Sequence, residues 1–131
     1  MNITPENITH LAPDEVFVYG ANEGYVHGAG AAKTALKWGA KHGYPSYQGQ
    51  TYGIPTKTKK FQILSIKQIS MYVDTFTLFA KQNPKLKLLI TEIGCGLSRY
   101  EPEDIAPLFL EASKLPNVWL SQRFWHVLNN K

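Results

Sequence analysis

Two rhythms of apolar residues alternate along this chain. Val16-Phe17-Val18-Tyr19 is an unbroken run of β-branched and aromatic residues, which predicts a buried strand, and it runs straight into the loop signal Gly20-Ala21-Asn22. From Ala29 to Lys41 the chain is rich in alanine and lysine. Ala32, Ala35, Leu36 and Trp38 are spaced for the inner face of a helix that Gly43 would stop. Thr51-Tyr52-Gly53-Ile54 predicts a second strand, ended by Pro55, and Lys57 to Lys60 form a basic turn. Apolar residues at 66, 69, 73, 76, 79 and 80 mark a helix over 66–82, which Asn83-Pro84 closes. The longest strand signal, Leu88-Leu89-Ile90-Thr91, lies within 86–93. Glu101-Pro102-Glu103-Asp104 opens another helix, because proline suits the first turn and acids favour the positive end of the dipole. Its inner residues are 105, 108 and 109. Val118-Trp119-Leu120 predicts a last strand, and Phe124 to Leu128 reads either as a strand or as a short helix.

The order β-α-β-α-β-α-β predicts an α/β sandwich with a mainly parallel sheet. Ligands in such folds bind beyond the carboxyl ends of the strands. The glycines gather there. Gly20, Gly24, Gly28 and Gly30 follow the first strand, and Gly94 and Gly96 follow the strand over 88–91. Glycine clustered beside apolar runs suits a backbone that a ligand approaches closely.

Composition narrows the class. A chain of 131 residues is one ordinary domain without linkers or repeats. A single cysteine, Cys95, excludes an intrachain disulfide and a four-cysteine zinc site, and His10, His27, His42 and His126 lack metal-ligand spacing, so no metal or cofactor is expected. No apolar run approaches the roughly 20 residues of a membrane span, and Met1 to Leu11 does not read as a signal peptide, so the expected location is the reducing cytoplasm. Asn2-Ile3-Thr4 and Asn7-Ile8-Thr9 match the glycosylation pattern, a chance match in a chain that is not secreted. The net charge is +4, with arginine only at 99 and 123. That suits anionic ligands without establishing nucleic-acid binding.

Gly28-Ala29-Gly30 falls at a helix start, where N–H groups are unpaired and small residues let an anion approach. Gly94-Cys95-Gly96-Leu97 can add further N–H groups, and two facing loops suit a diphosphate better than a single phosphate. The chain contains neither a Walker motif nor a dinucleotide fingerprint. The alternative for these glycines is tight turns and close helix–sheet packing.

At these loops the chain resembles the macrodomains, the ADP-ribose-binding fold. Val18-Tyr19-Gly20-Ala21-Asn22 followed by Gly28-Ala29-Gly30-Ala31 is similar to the family's strand, asparagine and glycine-rich helix start. Ile93-Gly94-Cys95-Gly96-Leu97-Ser98-Arg99 is similar to the IGCGLDR segment of the terminal ADP-ribose glycohydrolase branch. That branch's MGAGIA helix start is close to the stretch from His27 to Ala32, and its YLITK strand end to that from Tyr52 to Lys57. The likeness covers roughly residues 16 to 112 and is also one to compact phage or bacterial macrodomain-like proteins. It implies one domain over 1–131: α/β, a three-layer α/β/α sandwich around a mixed, mainly parallel sheet.

The resemblance also implies roles. Asn22 matches the asparagine that holds the distal ribose. Gly28, Ala29 and Gly30 match one diphosphate loop, and Gly94, Cys95, Gly96 and Leu97 the other. Lys57 matches the lysine that attacks the anomeric carbon in the glycohydrolase branch. Two departures stand against catalysis: Ser98 occupies the place of that branch's aspartate, and Ala32 the place of the aspartate of other hydrolytic macrodomains. A hydrolase would need a substitute among Glu23, Glu92, Glu101 and Asp104.

Several residues keep more than one reading. Lys57 sits in the basic run Lys57-Thr58-Lys59-Lys60 and reads as nucleophile, as phosphate or ribose contact, or as plain surface. Cys95 reads as a thiolate nucleophile with His27 as partner, or as a small side chain between functional backbone groups. His27 reads as a phosphate contact or proton carrier, or as a loop residue. Asn22 reads as a ribose ligand or as a turn residue. Gly20 belongs to the first loop, Tyr100 is the preferred residue for stacking on a base, and Arg99 either reaches a phosphate or pairs with Glu101 or Glu103. The expected function is binding of ADP-ribose or a related nucleotide diphosphate metabolite, free or on an ADP-ribosylated macromolecule, with hydrolysis of an ADP-ribosyl linkage as the further activity implied. The alternatives are a non-catalytic reader or sequestering protein and, third, a nucleic-acid binder using Lys57, Lys59 and Lys60. No membrane partner is expected.

Overall fold

A strand with an unbroken run of apolar residues has to be covered on both faces. That strand is β1 (Glu15–Asn22), and it lies at the middle of the sheet. Val16 and Val18 point into one core, and Phe17, Tyr19 and Ala21 into another on the opposite face. The computed structural model describes residues 1–130 and contains four further strands: β2 (Tyr47–Gln48), β3 (Thr51–Lys57), β4 (Lys87–Ile90) and β5 (Val118–Trp119). Together they form one mixed sheet in the order β2-β3-β1-β4-β5. β1 runs parallel to β3, from Phe17 opposite Thr51 to Asn22 opposite Lys57, and parallel to β4, from Glu15 opposite Lys87 to Val18 opposite Ile90. β5 is parallel to β4, and only the edge strand β2 is antiparallel. The fold is therefore α/β with a mixed, mainly parallel sheet.

The larger core is closed by α2 (Ile66–Gln82), which buries Ile69, Val73, Phe76 and Ala80 against Tyr52, Ile54, Leu88 and Ile90. Its start is set by a reciprocal cap: the Gln68 N–H donates to Ser65 Oγ (3.2 Å), and the Ser65 N–H donates to Gln68 Oε1 (2.9 Å). The smaller core is closed by α1 (Gly30–Ala35) through Ala32 and Ala35. None of the helices is long and apolar enough to cross a membrane among the described residues.

The structure corrects several expected boundaries. The helix expected to run to Lys41 is shorter: α1 tightens into a 3-10 turn over Leu36–Trp38, and Gly39, not Gly43, ends it at φ +105°. Gly39 has to be glycine for a second reason, because a Cβ there would lie 3.0 Å from the Cα of Gly49. β3 does not stop at Pro55. The Gly53 N–H donates outward to Ser46 O (3.1 Å), and Pro55 follows on that same edge, past the end of β2, where the N–H it lacks has no partner to lose. The helix expected from Glu101 is divided into α3 (Pro102–Ile105), a 3-10 turn over Ala106–Phe109 and α4 (Leu110–Ser113), because Pro107 cannot donate in the α-helical pattern. The tail resolves as a helix, α5 (Gln122–Asn129), capped by Ser121 Oγ accepting from the Phe124 N–H. Residues 2–4 extend the sheet beyond β5: the Thr4 N–H donates to Leu120 O (2.8 Å), and the Leu120 N–H donates to Asn2 O (3.1 Å).

Gly53 is the point where the central strands press together most closely. A Cβ there would meet the Tyr19 hydroxyl at 2.9 Å and Ala21 Cβ at 3.3 Å. Gly53→Ala should cost about 1–3 kcal/mol of folding free energy. Urea unfolding followed by circular dichroism reads the loss, and Gly96→Ala, whose Cβ meets nothing, should leave the midpoint unchanged.

Candidate functional site

Three strand ends meet at one edge of the sheet, those of β3, β1 and β4, and the two glycine segments lie side by side there. A Cβ built on Gly20 would stand 3.6 Å from Gly94 N, and one on Gly30 would stand 3.6 Å from Leu97 Cδ1. Gly94 has φ +76°, and a Cβ there would reach Ile105 Cδ1 at 2.9 Å, so no other residue fits. Gly28 and Gly96 face open space instead. Gly28, Ala29 and Gly30 are exposed, and Leu97 is 64% exposed between the loops. Within the second loop the Cys95 N–H donates to Glu92 O, the Arg99 N–H to Gly96 O and the Tyr100 N–H to Gly94 O. The N–H groups of Gly28, Ala29 and Gly30, and of Gly96, Leu97 and Ser98, have no acceptor among the described residues. This edge is rich in main-chain donors.

The side chains expected to touch a ligand are largely taken up by the scaffold. Asn22, 6% exposed, accepts from the Gly24 and Val26 N–H groups (3.0 and 3.2 Å) and donates to Val26 O (2.8 Å). The amide thereby shapes the loop that leads to Gly28. His27 is 2% exposed, and its Nε2 lies 2.7 Å from the Tyr19 hydroxyl. Its N–H donates to His42 Nδ1 (3.0 Å). Burial, and after it His42, push the His27 imidazole below its ordinary range, so it sits under the loop as a neutral group rather than facing a phosphate. Tyr100 donates its hydroxyl to Leu64 O (2.6 Å) and packs on the larger core, which withdraws it from base stacking. Arg99 is exposed at φ +63° and pairs with neither Glu101 nor Glu103 among the described residues. Ala32 faces the smaller core, and Ser98 Oγ is hydrogen-bonded to Thr56 Oγ1 (2.8 Å).

Cys95 is a thiol, not a thiolate. Burial, then the carboxylates of Glu92, Glu101 and Asp104, push it up to about 11 against the opposing pull of Arg123. His27, the partner expected of a Cys95 thiolate, has its Nε2 against the Tyr19 hydroxyl and its Nδ1 buried without a partner, so no Cys95–His27 hydrogen bond occurs among the described residues.

On either side of the glycine loops lies a space that no motif announced. Past β4 and β5 a cavity of about 1120 Å³ is walled by Ile3, Thr4, Ile8, Thr91, Glu92 and Arg123, and it abuts α1 at Ala31 and Thr34. Glu92 is held there by Arg123 through a two-pronged ion pair. Past β3 a smaller cleft of about 470 Å³ is lined by Glu23, Thr58, Lys59, Lys60, Gln62 and Tyr72. The Glu23 N–H donates to Lys57 O (2.8 Å), and the Glu23 carboxylate accepts from the Tyr72 hydroxyl. That hydrogen bond, helped by burial, pushes the Tyr72 phenol up to about 12. No group of three histidine, cysteine or carboxylate side chains positioned to hold a metal ion occurs among the described residues.

No family model and no curated protein matches this chain. A solved structure of a protein of unknown function from Bacteroides thetaiotaomicron is similar to it, with a TM-score of 0.61 at 13% identity, over 86% of this chain and 90% of that one. At that identity the likeness is one of fold.

Two measurements check the electrostatics. Cys95 should react with a thiol reagent at pH 7.5 about a hundredfold more slowly than a thiol at the ordinary value of 9.0, because its thiolate population is that much smaller. Replacing the carboxylate in Glu23→Gln removes the charged acceptor that favours the protonated phenol. The ultraviolet titration of Tyr72 should then move down from about 12 toward 10.

Proposed function

We propose that this chain binds ADP-ribose or a related nucleotide diphosphate metabolite within a three-layer α/β/α sandwich of the macrodomain kind. The observation that carries this reading is the contact of the two glycine loops at Gly20–Gly94 and Gly30–Leu97, with unpaired N–H groups on both. A diphosphate presents oxygens along its length, and main-chain donors without side chains in the way are what such a group needs. The surroundings agree. The larger cavity begins where α1 begins and has partly apolar walls, as a nucleoside end requires, while Lys57 and the Glu23 cleft lie at the other end of the loops. The mild net charge of +4 is secondary, because recognition rests on uncharged backbone.

A second reading, a protein that holds the metabolite or an ADP-ribosylated macromolecule without cleaving it, draws on Ala32 and Ser98. Neither is an acid, one faces a core and the other is bonded to Thr56. Recovery of intact ligand after long incubation supports it.

Titration calorimetry with ADP-ribose tests the binding reading. The wild-type chain should give saturable heat below millimolar ligand. Gly28→Val and Gly96→Val place side chains in open space over the loops, so they should weaken binding tenfold or more, about 1.4 kcal/mol, while the melting temperature holds. A wild-type chain that binds nothing at millimolar ADP-ribose overturns the reading.

A further inference from the structure

Phe61 costs this fold stability on two counts. Of the six phenylalanines, Phe17, Phe76, Phe109 and Phe124 are buried, and Phe79 packs against Tyr47 and Tyr52. Phe61 is 56% exposed and stands next to no other aromatic ring among the described residues, so its ring gains little from burial. Its backbone is also left-handed, at φ +64°, a conformation that a bulky residue adopts at a cost and that asparagine adopts readily. The turn around it is firmly tied. Lys57 bridges Ile63, the Thr58 N–H donates to Gln62 O (2.8 Å), and the Phe61 N–H donates to Thr58 O (2.9 Å). Thr58 Oγ1 accepts from the Lys60 and Gln62 N–H groups (3.2 and 3.1 Å). Strain held this firmly, at a residue that the core does not use, indicates a task outside the fold.

The neighbours of Phe61 restrict what that task can be. Lys59 and Lys60 are exposed and stand in no ion pair among the described residues. With Thr58 and Gln62 they line the cleft past β3, whose one carboxylate, Glu23, already accepts from the Tyr72 hydroxyl. Ile63, at the foot of the hairpin, is 48% exposed. Unpaired cations and exposed apolar side chains thus lie together between positions 59 and 63. From this juxtaposition we propose that the hairpin over 57–63 is a docking arm for an acidic polypeptide segment that bears apolar side chains. The carboxylates of the segment meet Lys59 and Lys60, and its apolar side chains cover Phe61 and Ile63. An aromatic ring on a rigid turn is a suitable anchor, since little conformational freedom is lost when a partner covers it. Single-stranded nucleic acid fits less well. Such a strand engages cations along its whole backbone, whereas this hairpin has no arginine and its Lys57 is partly buried, and Ile63 offers a base no ring to stack on. The proposal uses none of the main-chain donors of the glycine loops and is independent of the ligand reading above.

The probe is a fluorescein-labelled peptide of Glu-Glu-Leu repeats, about twelve residues long, with binding to the full chain read by fluorescence anisotropy. The wild-type chain should bind it saturably. Gln-Gln-Leu and Glu-Glu-Ser peptides of the same length, which lack the charge or the apolar side chains, should each bind about tenfold more weakly. The double variant Lys59→Gln, Lys60→Gln should lose about tenfold in affinity for the first peptide. Phe61→Asn should lose about as much while its melting temperature holds or rises, because asparagine relieves the left-handed strain. A residue that only supported the fold would lower the melting temperature instead. A wild-type chain that does not bind the Glu-Glu-Leu peptide overturns the proposal. So does wild-type affinity in either variant, or a lower melting temperature in Phe61→Asn. Tighter binding of an oligothymidylate of the same length assigns the arm to nucleic acid. A wild-type dimer in sedimentation that becomes a monomer in Phe61→Asn assigns it to a second copy of this chain. Either of these results overturns the proposal as well.

Discussion

The burial of β1 on both faces is the constraint on which the rest of this protein depends. Val16 and Val18 need one cover and Phe17, Tyr19 and Ala21 another, so helices have to lie on opposite sides of the same strand. With β3 and β4 parallel to it, three strand ends open at a single edge, and the loops that leave them are brought together there. The closeness of Gly20 to Gly94 follows from that parallel pairing. The loops do not bind one another by side chains, apart from the Leu97 contact with Gly30. They meet because the strands below them do.

The parts of this arrangement that depend on local pattern were legible in the sequence. The run from Val16 to Tyr19, the spacing of Ile69, Val73, Phe76 and Ala80, and the run from Leu88 to Ile90 each report on burial of a single element, and apolar periodicity records burial directly. Glycines at strand ends were legible for a similar reason, since their role is a backbone matter. Where a boundary depended on a distant partner, the sequence misled. Gly39 ends its helix because Gly49 packs against it, and Pro55 stays in β3 because β2 is too short to reach it. The two residues of β2 are too few to carry a pattern at all.

The site divides along the same line. The glycine loops were expected at this edge, and they are there. The roles expected of Asn22, His27 and Tyr100 depended on which way each side chain turns, and each turns toward a partner that no motif assigned to it: the Val26 backbone, Tyr19 and the Leu64 carbonyl. Tyr72 lay beyond reach for the same reason, since it is 49 residues from Glu23 and sits on a helix whose pattern speaks only of packing. The side chains around the loops hold the loops, and the surface left open is mostly main chain.

The segment over residues 2–8 does two jobs with one set of contacts. Asn2 and Thr4 pair with Leu120, Asn2 O also accepts from Trp125 Nε1 (2.8 Å), and Ile3, Thr4 and Ile8 wall the larger cavity. The sheet's last edge and the cavity's outer wall are therefore the same residues. Loss of those few backbone hydrogen bonds, a local opening of the strand edge, would therefore open the cavity's outer wall as well.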